Sequence, residues 1–310
     1  MNSLWGWIGF NGVVLAILAL DLGVLHRRSA KVSIKEAATW SAVWVVLSLC
    51  FAFAIYETMG RQSGLEFLTG YLIEYALSVD NIFVFVLIFS YFNVPEKYQH
   101  RVLFWGIIGA LVLRGVMIVA GSALVTRFAW TLYIFGAFLV FTGLRMALQK
   151  DEQAYNPERD PVLRLARRLV PVTDDYHGDK FFVREPTKKS RSRYAATPLF
   201  IVLLIVDTTD IIFATDSIPA IFAVTRDPFI VYTSNICAVL GLRALYFLLA
   251  GVVDKFIYLK LGLSLVLVFI GGKMLLEPFI HLPIVAALGV VGAVLGASIL
   301  ASLRWPRTGH

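Results

Sequence analysis

Apolar residues in this chain neither alternate nor keep to one helical face; they run on without a break. Such runs cover Leu4 to Leu25, Ala38 to Tyr56, Phe67 to Phe92, Leu103 to Val125 and Phe128 to Ala147, and they resume at Pro198 to Val224, Phe229 to Gly251, Tyr258 to Leu276 and Leu282 to Leu303. A helix of about 20 apolar residues crosses the ~30 Å hydrocarbon core of a bilayer. In lipid only a helix or a closed barrel satisfies its own backbone polar groups. The pattern therefore predicts an all-α polytopic membrane protein with nine transmembrane helices. No Lys or Arg precedes the first run, so it reads as a membrane helix and not as a secretory signal.

Composition agrees, with 58% hydrophobic and 16% charged residues, a balance outside that of soluble globular domains. The formal net charge of +7 raises nucleic-acid binding, but its distribution points to topology instead. Of 28 Lys and Arg, 22 fall in segments 26–37, 93–102, 145–197, 251–260 and 304–310, whereas the alternate connections hold only Arg61, Arg127 and Arg226. By the positive-inside rule the N-terminus is outside and the C-terminus cytoplasmic. Segment 149–197 is then a cytoplasmic linker. Within it, Pro161 to Val172 suits a short interfacial helix, and the basic cluster Lys188 to Arg193 suits contact with anionic lipid. The two cysteines, Cys50 and Cys237, are isolated in apolar runs and build neither a disulfide framework nor a soft-metal site.

The chain also resembles itself. Glu74 and Asp80 are spaced as Asp210 and Asp216 are, and each second acid precedes a small polar residue and Ile: Asp80-Asn81-Ile82 and Asp216-Ser217-Ile218. Leu113-Arg114 matches Leu242-Arg243, and Leu139 to Met146 (LVFTGLRM) matches Leu267 to Met274 (LVFIGGKM). Two three-helix repeats follow, 64–147 and 198–277. With three helices in each, the charge-based topology makes them inverted, as in many secondary transporters.

Asp21, Glu74, Asp80, Asp207, Asp210 and Asp216 all fall inside predicted helices, opposed chiefly by Arg114 and Arg243 as counter-ions. An acid at mid-membrane costs about 2.5–3.5 kcal/mol on insertion scales, so these groups must face each other, water or an ion. With Asn81, Asn235, Ser78 and Ser217 they form a hard-oxygen set. That set suits Mg²⁺, Ca²⁺ or Mn²⁺ over Cu⁺ or Zn²⁺, and none of His26, His100, His177, His281 and His310 lies mid-membrane. A step of six residues climbs ~9 Å on a helix, so Glu74 and Asp80 occupy separate levels. Inversion then predicts Glu74 level with Asp216 and Asp80 level with Asp210. Pro219, by removing the partner of the Thr215 carbonyl, predicts an unwound segment beside Asp216. No P-loop is present to suggest ATP use.

Phe67 to Asn81 (FLTGYLIEYALSVDN), Tyr133 to Phe138 (YIFGAF), Asp210 to Thr225 (DIIFATDSIPAIFAVT), Asp227 to Asn235 (DPFIVYTSN) and Leu240 to Ala250 (LGLRALYFLLA), with Phe181 to Arg184 in the linker, resemble the TerC family and its Alx-like branch in particular. The resemblance implies a bacterial inner-membrane protein that exports Mn²⁺, with acids of the first, third and sixth helices at the metal: Asp21, Glu74, Asp80, Asp210 and Asp216. Asp207 stands where similar proteins often carry a longer Glu. The family is also labelled for tellurium resistance, and Alx-like members as redox modulators. The sequence holds no CxxC, haem or flavin motif to carry the latter.

The expectation is a manganese exporter, not an enzyme, with no cofactor and with proton or Na⁺ coupling. Its metal set is Glu74, Asp80, Asn81, Asp207, Asp210, Asp216, Ser217 and Asp21. The competing readings are a non-transporting partner of a tellurite-response complex and a membrane redox modulator.

Overall fold

The computed structural model describes residues 4–20, 33–148, 164, 171–173, 175–185, 193–250, 258–280 and 282–304. Among them are nine helices, α1 (Leu4–Leu20), α2 (Ile34–Met59), α3 (Arg61–Tyr91), α4 (Glu96–Arg127), α5 (Thr131–Leu148), α6 (Pro198–Phe222), α7 (Pro228–Leu249), α8 (Leu259–Leu276) and α9 (Ile284–Arg304), and two short strands, β1 (Phe182–Glu185) and β2 (Arg193–Ala196). Eight of the helices, α2 to α9, are long and apolar enough to cross a membrane, and α1 is a shorter apolar helix. The chain is thus a multi-pass membrane protein.

Local chemistry sets the helix ends. Ser33 caps α2 by accepting from the Glu36 N–H at 3.2 Å, and Asp227 caps α7 by accepting from the Phe229 N–H at 2.9 Å, ahead of Pro228 at the first helical position. Only Gly60 separates α2 from α3, with φ of 96°, a region that residues with a Cβ avoid. At the other end of α3, Val94 N–H closes onto Phe89 O at 2.9 Å and Pro95 opens α4.

α3, α4, α6 and α7 surround the centre, and α7 is the most enclosed of the spans, while α2 and α9 show most of their surface to the surroundings. α3 runs parallel to α7, since Gly70 abuts Ser234 and Tyr75 abuts Gly241. In the same way α4 runs parallel to α6, with Gly106 beside Val206 and Gly121 beside Phe222. α5 and α8 cross closely in opposite directions. A Cβ on Gly271 would stand 2.6 Å from Gly136 O, and one on Gly143 would stand 2.8 Å from Ser264 O. Such backbone approach leaves no room for a side chain, which is how membrane helices gain packing where lipid supplies no hydrophobic drive.

One element was not anticipated in the linker. β1 and β2 pair antiparallel with Phe182 opposite Ala196, and this hairpin sits on one end of the bundle. Thr197 donates to Lys180 O at 2.7 Å, Tyr176 donates to Phe92 O at 2.8 Å, and Arg101 pairs with Asp179. Phe182 packs on Phe200 with ring centroids 4.5 Å apart. Burial beside Phe92 and Tyr98 pushes the Tyr176 phenol up to about 12. Most of Pro161 to Val172 and of Lys188 to Arg193 lies outside the described residues.

Candidate functional site

At the centre of the bundle Arg114 of α4 is almost completely enclosed, 1% exposed, with Glu74 of α3 at 1% and Asp210 of α6 at 3%. Its Nε and Nη2 donate to the two Asp210 oxygens at 2.9 and 2.7 Å, a two-bond fork, and its Nη1 donates to Glu74 Oε1 and to Asn235 Oδ1 at 3.2 Å. Asn235 Nδ2 in turn donates to Glu74 Oε2 at 2.9 Å. Four helices therefore meet on one guanidinium. A buried charge is stable only when paired and fully hydrogen-bonded, and the fork geometry of Arg suits two carboxylates as the point charge of Lys does not.

Asp80 and Asp216, the second acids of each repeated pair, take no part in the Arg114 hydrogen bonds. Each lies within electrostatic reach of the other or of a basic group: Asp80 of Lys260, and Asp216 of Asp80 and Arg145, with Thr142 hydrogen-bonded to the Asp216 carboxylate. Close to them along the chain, Ser78 Oγ, Asn81 Oδ1 and Ser217 Oγ are buried with no hydrogen-bond partner. Buried polar atoms are ordinarily satisfied, and each exception asks for an explanation such as an ion or water.

The expected levels agree with the packing, since α3 and α6 run in opposite directions with Gly70 beside Ile221, which sets Glu74 level with Ser217 and Asp80 with Ile211 at equal rise per residue. Across these levels Glu74 joins Asp210 through Arg114, and Asp80 lies within electrostatic reach of Asp216. The long Arg side chain spans the helical offset between the Glu74 and Asp210 carboxylates. The expected break at Pro219 is absent: α6 continues through Pro219 to Phe222, and the Ala223 N–H closes onto Pro219 O at 3.1 Å.

Asp207, one turn before Asp210, turns its carboxylate onto α4. Both oxygens lie 2.8 Å from where a Gly109 Cβ would be, and Oδ1 is buried without a partner. The glycine was not among the sequence candidates, although its absence of a Cβ is what admits the carboxylate. Arg243 borders, with Asp210, a cavity walled by Phe85, Ile107, Val206 and Val239. Asp21 lies outside the described residues. Among the described residues no three His, Cys, Asp or Glu side chains gather into one metal-holding group, so amides, hydroxyls and carbonyls would have to complete any cation shell built on the paired acids. That donor chemistry fits a hard cation.

Comparison with known proteins bears on the same residues. The family model described as the integral membrane protein TerC family matches residues 59–309. An uncharacterized membrane protein of Myxococcus xanthus is 55% identical over 297 residues, 96% of this chain and 91% of that protein. Proteins of Salmonella typhi and Escherichia coli K12 that carry the name of a proposed membrane-bound redox modulator, Alx, are each 52% identical, over 96% and 94% of this chain and 92% and 91% of their own lengths. No solved structure matches the chain.

Proposed function

The chain belongs to the TerC family of integral membrane proteins, and from that premise we propose that it exports a hard divalent cation, Mn²⁺ foremost, from the cytoplasm across a bacterial inner membrane. The observation that carries this reading is the pair Asp80 and Asp216, within electrostatic reach of each other, with the buried, unpartnered oxygens of Ser78, Asn81 and Ser217 within two residues of them along the chain. Interacting intramembrane acids, with orphaned oxygen donors on the same stretches of helix, are what a cation path requires.

Alternating access between inverted repeats, 64–147 and 198–277, is the proposed means. It is supported by the parallel pairs α3–α7 and α4–α6, which exchange under the repeat, and by the antiparallel crossing of α5 on α8. The repeat relates Gly143 to Gly271 and Gly136 to Ser264, so the contacts Gly136–Gly271 and Gly143–Ser264 are two copies of one contact. An N-out, C-in orientation places segment 149–197, hairpin included, in the cytoplasm. A proton or Na⁺ gradient supplies the drive.

The test is manganese content in cells lacking their own export system. Wild type lowers it, and Asp80→Asn and Asp216→Asn, at matched membrane levels, do not; full export by both variants would assign the acids to packing. The relatives' name favours a second reading as a redox modulator, to which the free Cys50 and Cys237 on α2 and α7 bear. A Cys50→Ser/Cys237→Ser variant that exports normally decides against it.

A further inference from the structure

Arg114 fills the place that a cation would take. Its guanidinium engages both oxygens of Asp210, one of Glu74 and the Asn235 amide oxygen, and the two acids and the arginine together carry a formal charge of −1. A divalent cation entering with the guanidinium still in place would leave +1 on a few shared oxygens, with like charges in contact where the dielectric is low. With the guanidinium gone, the acids and the divalent ion balance. The two cations therefore exclude one another.

The guanidinium also has somewhere to go. Asp207 stands one turn before Asp210 on α6, its Oδ1 buried without a partner and its carboxylate 2.8 Å from the Cβ position of Gly109 and 3.6 Å from that of Gly106 on α4. Gly106, Ala110 and Asp210 border a cavity along this same seam. A helical side chain leans toward the N-terminus of its helix, so Arg114 leans along the face that carries Ala110, Gly109 and Gly106. Because α4 and α6 are parallel, a shift of about one turn, ~5 Å, takes the guanidinium from Asp210 to Asp207. Arg243 borders the cavity from α7 and repels a second guanidinium, which leaves Asp207 the favoured destination.

The geometry points to Arg114 as a resident cation that holds Glu74 and Asp210 between transport events and passes to Asp207 when the transported cation arrives. The inference rests on the cation-transport reading and adds to it the means by which the empty carrier returns: without Arg114 the emptied site keeps two unbalanced carboxylates at mid-membrane.

The experiment uses the full chain in vesicles and in detergent, with Mn²⁺ as the probe. Arg114→Gln is expected to retain manganese-for-manganese exchange while its net downhill flux falls about tenfold or more, within the range of coupling between linked sites. Asp207→Asn, which keeps the resident cation but removes its second seat, is expected to weaken apparent Mn²⁺ affinity by a similar factor. In detergent, the melting temperature of Arg114→Gln rises on adding Mn²⁺, as for any ligand that binds the native state alone. The charge-balanced Glu74→Gln/Arg114→Gln/Asp210→Asn variant, which folds without a cation, shows no such rise. Net flux by Arg114→Gln at the wild-type rate, or a melting temperature indifferent to Mn²⁺, overturns the proposal. Should wild type itself move no cation, the transport reading fails, and the melting comparison still decides the role of Arg114.

Discussion

Glu74 and Asp210 hold opposite sides of one guanidinium, Asp210 by a two-bond fork and Glu74 by one bond, with a second accepted from the Asn235 amide. Two-bond Arg–carboxylate pairs add geometric specificity as well as energy, so the two acids do not contribute equally to the bundle.

Asp210→Ala is therefore expected to destabilise more than Glu74→Ala. Removing one partner of a buried ion pair costs about 3–5 kcal/mol, and the Asp210 variant falls toward the upper end. Thermal unfolding of both proteins in the same detergent checks the order; a larger loss for Glu74→Ala contradicts the assignment of the fork.

Gly271→Ala and Gly143→Ala are expected to lose stability through overpacking, by about 1–3 kcal/mol each, because the new methyl meets backbone on the facing helix. Gly272→Ala, whose Cβ meets nothing within 4 Å, is the control and holds or gains stability, given the ~1 kcal/mol by which Ala exceeds Gly in a helix. Parallel melting curves for the three variants decide it, and an equal loss in all three would dissolve the close-contact argument.

At the hairpin, Thr197→Val removes the hydroxyl that donates to Lys180 O, a loss of about 1 kcal/mol. Asp179→Asn breaks only an exposed pair with Arg101, worth about 0–1 kcal/mol. Limited proteolysis should cut the Thr197 variant faster than wild type and leave the Asp179 variant near wild type. Faster cleavage of the Asp179 variant would give the surface pair the larger part.

How much of this was legible in the sequence follows from what each feature depends on. Continuous apolar runs set the helices, but α3 and α4 begin six and seven residues ahead of their runs, at Arg61 and Glu96, because a helix extends through polar residues beyond the stretch that lipid requires to be apolar. Glu74, Asp210 and Arg114 were legible as intramembrane charges, but their convergence depends on which helices become neighbours, and residue spacing within one helix does not carry that. The Asp207–Gly109 contact failed to appear for the same reason. The α5–α8 contact did leave a trace, since Gly143 and Gly271 occupy the same place in LVFTGLRM and LVFIGGKM. The hairpin left a weaker one, four residues in each strand being too short to announce a strand beside charged flanks.

On the proposed export reading, selectivity is expected to follow from the oxygen donors. Zn²⁺ normally recruits His or Cys, and Mg²⁺ gives up its water reluctantly, so a path of carboxylate, amide and hydroxyl oxygens that strips several waters would favour Mn²⁺.

The central claim is met most directly by initial flux of Mn²⁺, Mg²⁺ and Zn²⁺, each at equal free concentration near neutral pH, into vesicles containing the purified protein, with Asp80→Asn vesicles alongside. The expected result is Mn²⁺ flux above that of both other ions and a collapse of that flux in Asp80→Asn; flux no greater than in protein-free vesicles for all three ions would contradict the account.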